Sequence, residues 1–175
     1  MKTKRVIVLP YDKRWKEEYV KIKTILEKAL GSSVISIEHV GSTSVEGLAA
    51  KPIIDIDVVI ESYDVFEDVK RRLEKLRYRY EGNLGIAQRE AFKYENKPDL
   101  MAHHLYVCPK NSEELNRHLV FRDYLRTHKS DMKQYGNIKL EAATLYPNDI
   151  DNYILYKSQI IDEIYRKCGL LQKSS

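Results

Sequence analysis

Residues 53–60, IIDIDVVI, constrain this chain more than any other stretch. Read as a strand, they put Ile54, Ile56, Val58 and Ile60 on one face and Ile53, Asp55, Asp57 and Val59 on the other. A solvated edge strand alternates cleanly between apolar and polar residues. Here the polar pair is bracketed by apolar residues on its own face, inside a near-continuous apolar run that reads as a buried strand. Two carboxylates in that setting carry a desolvation cost and repel each other unless a cation lies between them. Their Cβ atoms sit roughly 6.5–7 Å apart on one side of an extended strand, so both can reach one Mg²⁺. Asp55 and Asp57 are therefore the expected metal ligands and the expected catalytic pair.

Upstream, Gly41-Ser42-Thr43-Ser44 supplies a flexible turn and three hydroxyls. Ser42 or Ser44 is placed to cap a short helix over 45–50. Backbone N–H groups at such a turn and helix start favour phosphate oxygens. Gly41, Ser42, Thr43 and Ser44 are thus expected to contact phosphate, with Lys51 at the entrance to the aspartate strand. An anion site followed by a metal-binding strand suits an enzyme that handles a nucleoside triphosphate.

Twelve residues separate Ser42 from Asp55. A hydrophobic-Gly-Ser turn, about a dozen residues, then Asp-hydrophobic-Asp-hydrophobic is similar to the signature of the nucleotidyltransferase superfamily, the DNA polymerase β-like fold. The opening VLPYDKRW, then IEHVGSTSVEGLAAKPIIDIDV, then HHLYVCP followed by LNRHLVFRDYLRTH, resembles the GrpB family within that superfamily. The likeness runs from Val8 to about Cys168. It implies a fold and a possible nucleotidyl-transfer chemistry, but no established substrate. Some family members are fused to dephospho-CoA kinase, which links the family to coenzyme A synthesis by association alone.

At 175 residues the chain is expected to form one domain, with 112–170 as a helical C-terminal part. No run approaches the ~18 apolar residues of a membrane span. The basic start leads to an apolar run of five residues closed by Pro10, which is not a signal peptide. Cys108 and Cys168 lack metal-site spacing, so a reducing cytoplasm is the expected compartment. A net charge of +4 suits an anionic substrate, while the absence of a basic tract argues against nucleic acid as partner. The thirteen tyrosines make no stacking ladder.

In chain order, 6–9 reads as a short β-type run. A helix follows Asp12 with Trp15, Tyr19, Ile22, Leu26 and Leu30 at helical spacing, ended by Gly31. Residues 34–40 read as a strand in which Glu38 and His39 face opposite sides. Helix is expected over 63–76, strands over 77–81 and 88–94, a turn at Lys97-Pro98-Asp99, and a strand over 103–108. Helices are expected after Ser112, over 131–145 and over 148–168, with 172–175 disordered. The fold class is α/β (α+β), a small mixed sheet flanked by helices, with C-terminal helices closing a cleft over the Gly-Ser turn and the aspartates.

A catalytic member of the superfamily places its third carboxylate on the strand beside the aspartate pair. Here that strand reads His103-His104-Leu105-Tyr106-Val107 and has no acid. A histidine can act as general base near neutral pH. Only one of His103 and His104 can face the aspartates, and His104 is the expected one; Glu90 and Glu38 are alternative third groups. Arg89 is a candidate phosphate contact. Arg122 and Lys157 join the phosphate-binding set through the resemblance, which covers FRDYLRTH and Tyr153-x-x-x-Lys157. Two functions stand. One is Mg²⁺-dependent transfer of a nucleoside monophosphate from a triphosphate to an acceptor the sequence does not name. The other is a non-catalytic nucleotide- or partner-binding domain.

Overall fold

The aspartate strand is central. In the computed structural model, which describes residues 5–94 and 98–170, β1 (Ser36–Val40), β2 (Ile54–Ile60), β3 (Tyr78–Tyr80), β4 (Glu90–Tyr94) and β5 (His103–Pro109) form one sheet in the order β1-β2-β5-β4-β3. β2 pairs antiparallel with β1 and parallel with β5, and the remaining pairs are antiparallel. β2 is thus covered on both edges, as its apolar run predicts.

One sheet face carries Ile37, Ile54, Ile56, Val58, Ile60, Leu105 and Val107. They pack on α1 (Arg14–Leu30) through Ile22, Leu26 and Leu30, and on α2 (Phe66–Lys75) through Val69 and Leu73. These residues recur at helical spacing, so each helix presents one apolar stripe. The opposite face carries the aspartates and is roofed by α3 (Glu113–Thr127), where Leu115 and Leu119 meet Val59 and Cys108. α4 (Lys129–Leu145) and α5 (Ile150–Lys167) complete the helical part. Leu125, Met132, Tyr135, Ile160 and Ile164 bury Val45 and Leu48 beneath them, which fixes the segment between β1 and β2 against the helices.

Residues 45–50 do not form the expected helix. A single 3-10 turn spans Ser42–Ser44, and the chain then opens out through Gly47 at φ +87°. Ala50 is drawn into an antiparallel bridge with Leu9, each N–H donating to the other's carbonyl at 2.9 and 3.0 Å. That bridge demands extended backbone, so tertiary pairing overrides local helix signals. The run 6–9 accordingly contributes a bridge rather than a strand. Residues 63–65 form a 3-10 turn ahead of α2, and α4 begins two residues earlier than expected. Lys97 and the segment 172–175 lie outside the described residues. Among those described, no helix is long and apolar enough to cross a membrane.

Candidate active site

The sheet register builds the site's floor. Asp55 lies between Val40 of β1 and His104 of β5, and Asp57 lies between Glu38 and Tyr106. Side chains paired this way share a face, so Glu38, both aspartates, His104 and Tyr106 point toward the helical roof. His104 Nδ1 is 2.9 Å from Asp55 Oδ1. His103 takes the opposite face, where its Nε2 meets the Tyr78 hydroxyl at 2.7 Å and its Nδ1 meets the Met101 carbonyl at 2.8 Å. Of the two histidines, His104 faces the pair.

Gly41 presses on the first aspartate. It has φ +73°, and a Cβ added there would lie 2.3 Å from Asp55 Oδ2. Only glycine permits both that backbone and that approach. The turn after it is internally committed: the Ser44 N–H and hydroxyl both donate to the Gly41 carbonyl, at 3.1 and 2.5 Å. Thr43 Oγ1 pairs with His39 Nε2 at 2.9 Å, and the His39 ring stacks on Tyr19 at 4.4 Å. Burial first, then Arg126 and Arg122, lowers the His39 imidazole to about 4, so it is neutral and positions Thr43.

Asp57 is fully buried. Its Oδ2 is 2.5 Å from His118 Nδ1, and His118 Nε2 is 3.2 Å from Glu114 Oε1. A ring with a carboxylate at each nitrogen is favoured in its doubly protonated form, which can donate from both. Burial opposes that charge, but the hydrogen bond and charge of Asp57, helped by Glu114 and Asp55, raise the His118 imidazole above its usual value. Burial in turn raises Asp57, against the pull of His118. Asp57 Oδ1 is buried and has no hydrogen-bond partner among the described residues.

His118 belongs to the site, a place the sequence did not assign it. The signal available was its spacing, with Glu114 one turn before and Arg122 one turn after. Glu90 is a correction in the other direction. It lies on the core face opposite the aspartates, where its carboxylate accepts from the Tyr80 and Tyr63 hydroxyls at 2.6 and 3.2 Å. Glu38 is the third carboxylate on the aspartate face, and Arg122 Nη1 donates to it at 2.9 Å.

Beside Asp55 and His104 opens a pocket of about 150 Å³ whose walls include Ser42, Thr43, Lys51, Lys139, Tyr153 and Lys157. Three lysines from three segments thus converge next to one carboxylate. Lys139 was not expected. It occupies the apolar face of α4 in line with Met132, Tyr135 and Ala142, and a lysine at such a position was the overlooked signal. Ser44, Arg89 and Arg122 do not line this pocket. Arg89 stacks its guanidinium on Tyr106 at 4.3 Å, and Arg122 holds Glu38 and the His39 carbonyl. Arg126 donates to the Ser44 carbonyl from Nε and Nη2 at 3.1 and 2.9 Å. α3 therefore clamps β1 and the Gly-Ser turn through Arg122 and Arg126. Among the described residues no group of three or more His, Cys, Asp or Glu side chains is disposed to hold a metal. The carboxylates on that face are those of Asp55, Asp57 and the Arg122-paired Glu38.

Residues 5–167 match the sequence model of the GrpB protein family. The chain belongs to the GrpB family. The glutamate-rich protein GrpB of Alkalihalophilus pseudofirmus is 36% identical over 162 residues, which is 91% of this chain and 93% of that protein. The UPF0157 protein YqkA of Bacillus subtilis is 34% identical over 159 residues, and there this chain spans only 46% of the relative's length. The crystal structure of the conserved protein GrpB from Enterococcus faecalis superposes with a TM-score of 0.77 at 33% identity, covering 92% of this chain and 98% of that one. The GrpB fold is also nucleotidyltransferase-like. The structure of Cid1 in complex with its short product ApU matches with a TM-score of 0.53 at 13% identity, covering 75% of this chain and 40% of Cid1.

Proposed function

We propose that this GrpB-family protein is a Mg²⁺-dependent nucleotidyltransferase of the cytoplasm, moving a nucleoside monophosphate from a triphosphate to an acceptor hydroxyl or phosphate. The observation that carries the reading is a single pocket in which the Gly-Ser turn, Asp55, His104 and three lysines meet. Asp55 and Asp57 fit a shared Mg²⁺: both are hard oxygen donors from one strand face, and the buried Asp57 Oδ1 has no hydrogen-bond partner among the described residues. Phosphate oxygens and water complete such a shell without a third protein ligand. A bound Mg²⁺ would supply charge neutralisation at the reacting phosphate.

The chain's own groups do the rest. Lys51, Lys139 and Lys157 stabilise the β- and γ-phosphates, and most of the rate comes from such preorganised charge. Ser42 orients the same chain of phosphates. The acceptor oxygen bonds to the α-phosphorus as the bridging bond to the β-phosphate breaks and pyrophosphate leaves. Asp55 holds the Nδ1–H of His104, which leaves Nε2 to take the acceptor's proton.

The test is thermal melting with each of the four ribonucleoside triphosphates, with and without Mg²⁺, on wild type and on the Asp55→Asn, Asp57→Asn double variant. Native-state ligands raise the melting point by mass action. The expected result is a Mg²⁺-dependent rise for at least one nucleotide that the double variant loses. No rise with any nucleotide sinks the reading.

A further inference from the structure

Lys139 is the one Lys or Arg that is buried among the described residues, with 3% of its surface exposed. Packing explains how it gets there. Gly136, one turn earlier on α4, lies against Leu48 and the Ala49 backbone; a Cβ there would sit 3.3 and 3.5 Å from them. The missing side chain brings α4 close to the segment that ends in Lys51, and Lys139 follows into the same crevice. Its Nζ is 4.4 Å from the centre of the Tyr135 ring. Lys51 and Lys157 share a second ring, with their Nζ atoms 4.8 and 4.7 Å from the centre of Tyr153.

Counter-charge is scarce. The pocket's one carboxylate, Asp55, is already held by His104. Neither Lys139 nor Lys157 has a carboxylate within ion-pair distance among the described residues. A buried ammonium without a carboxylate partner costs several kcal/mol, which disfavours the charged form in the free protein. Burial, then Lys157 and Lys51, pushes the Lys139 amine well below the usual lysine range. Burial, then Lys51, lowers Lys157 to about 8. An anion placed among the three reverses that balance, because opposite charge favours the ammonium.

We propose that the pocket is a subsite for a terminal phosphate whose occupancy is coupled to proton uptake, the anion and a proton entering together with Lys139 as the proton's carrier. The proposal rests on the nucleotidyl-transfer reading for the ligand's identity, the phosphate tail of a nucleoside triphosphate, and not for any chemical step. Lys157 and Lys51 act on Lys139 through their charge and the Tyr135 ring lies against it, while Asp55, His104 and Tyr153 are the other titratable groups of the pocket wall. While one proton is taken up per anion, affinity falls roughly tenfold for each unit of rising pH.

The experiment is titration calorimetry of the full chain with inorganic triphosphate, without Mg²⁺, at pH 8 in two buffers of different ionisation enthalpy. Their difference gives the protons exchanged. Lys139→Arg serves as reference, since its guanidinium is always charged and the ligand's own protonation is common to both proteins. The expected outcome is binding by both, with wild type taking up more protons than Lys139→Arg. Equal proton counts overturn the coupling, and no binding by wild type overturns the subsite. If Lys139→Arg fails to fold or bind, affinity for wild type measured from pH 7 to 9 decides: a flat profile overturns the coupling. Proton-coupled triphosphate binding with no Mg²⁺-dependent nucleotide effect would leave this inference standing and remove the transfer reading. The reverse pair of results would do the opposite.

Discussion

His118 Nδ1 lies 2.5 Å from Asp57 Oδ2 across 61 residues of sequence, and it ties the roof helix α3 to the floor strand β2. Breaking a buried pair from one side leaves an uncompensated charge. His118→Ala should therefore lower stability by about 3 kcal/mol, read from urea unfolding. Adding Asp57→Asn should recover part of that loss. Simple additivity of the two changes would show that they do not act as a pair.

Gly41→Ala meets two penalties at once. Its φ of +73° disfavours any side chain, and its Cβ would collide with Asp55 Oδ2 at 2.3 Å. A stability loss of about 1–3 kcal/mol is expected, together with loss of any Mg²⁺-dependent nucleotide effect on melting. An Ala variant that keeps that effect at full size would mean Asp55 tolerates displacement.

Acid should act through His39. Its folded value of about 4 lies below the usual 6.5, so the unfolded chain binds the proton first as pH falls. The stability it contributes is complete above pH 6.5 and is lost progressively down to about 4, by about 3 kcal/mol in all. Urea midpoints measured from pH 7 to 4 should drop, and His39→Gln should flatten that drop. An unchanged profile in the variant would assign the acid sensitivity to other groups.

Lys139→Met should make the ligand-free protein more stable at pH 7, by about 0.5–2 kcal/mol, while abolishing affinity for inorganic triphosphate. Met restores apolar continuity with Met132 and Ala142 and removes one of three converging amines. In wild type, stability should rise with pH toward 10.5, since the unfolded chain binds the Lys139 proton more tightly than the folded one. A destabilised Met variant would show that Lys139 has a structural partner of real weight.

The floor of the site was legible because strand parity is a local rule. It put Asp55 and Asp57 on one face and chose His104 over His103, and β2 and β5 pair in that sense. The roof was less legible. Whether a polar residue on a helix faces solvent or a sheet depends on what packs above the strand, and His118, Arg122 and Arg126 each depend on that. Lys139 could have been noticed on the apolar face of α4, but its meaning depends on Lys51 and Lys157, which arrive from other segments. The expected helix over 45–50 failed for a similar reason, since the bridge to Leu9 comes from a distant part of the chain.

The order of the strands also sets when the site can exist. β2 has no parallel neighbour until β5 has been made, and the Asp55–His104 contact closes 49 residues of chain. Arg122 reaches Glu38 across 84. Long closures of this kind are slow to form. On a growing chain Lys51 and the two aspartates emerge before His104, Lys139 and Lys157, the residues that complete the pocket. The candidate site is thus complete only once α5 is in place, since that helix supplies Tyr153 and Lys157.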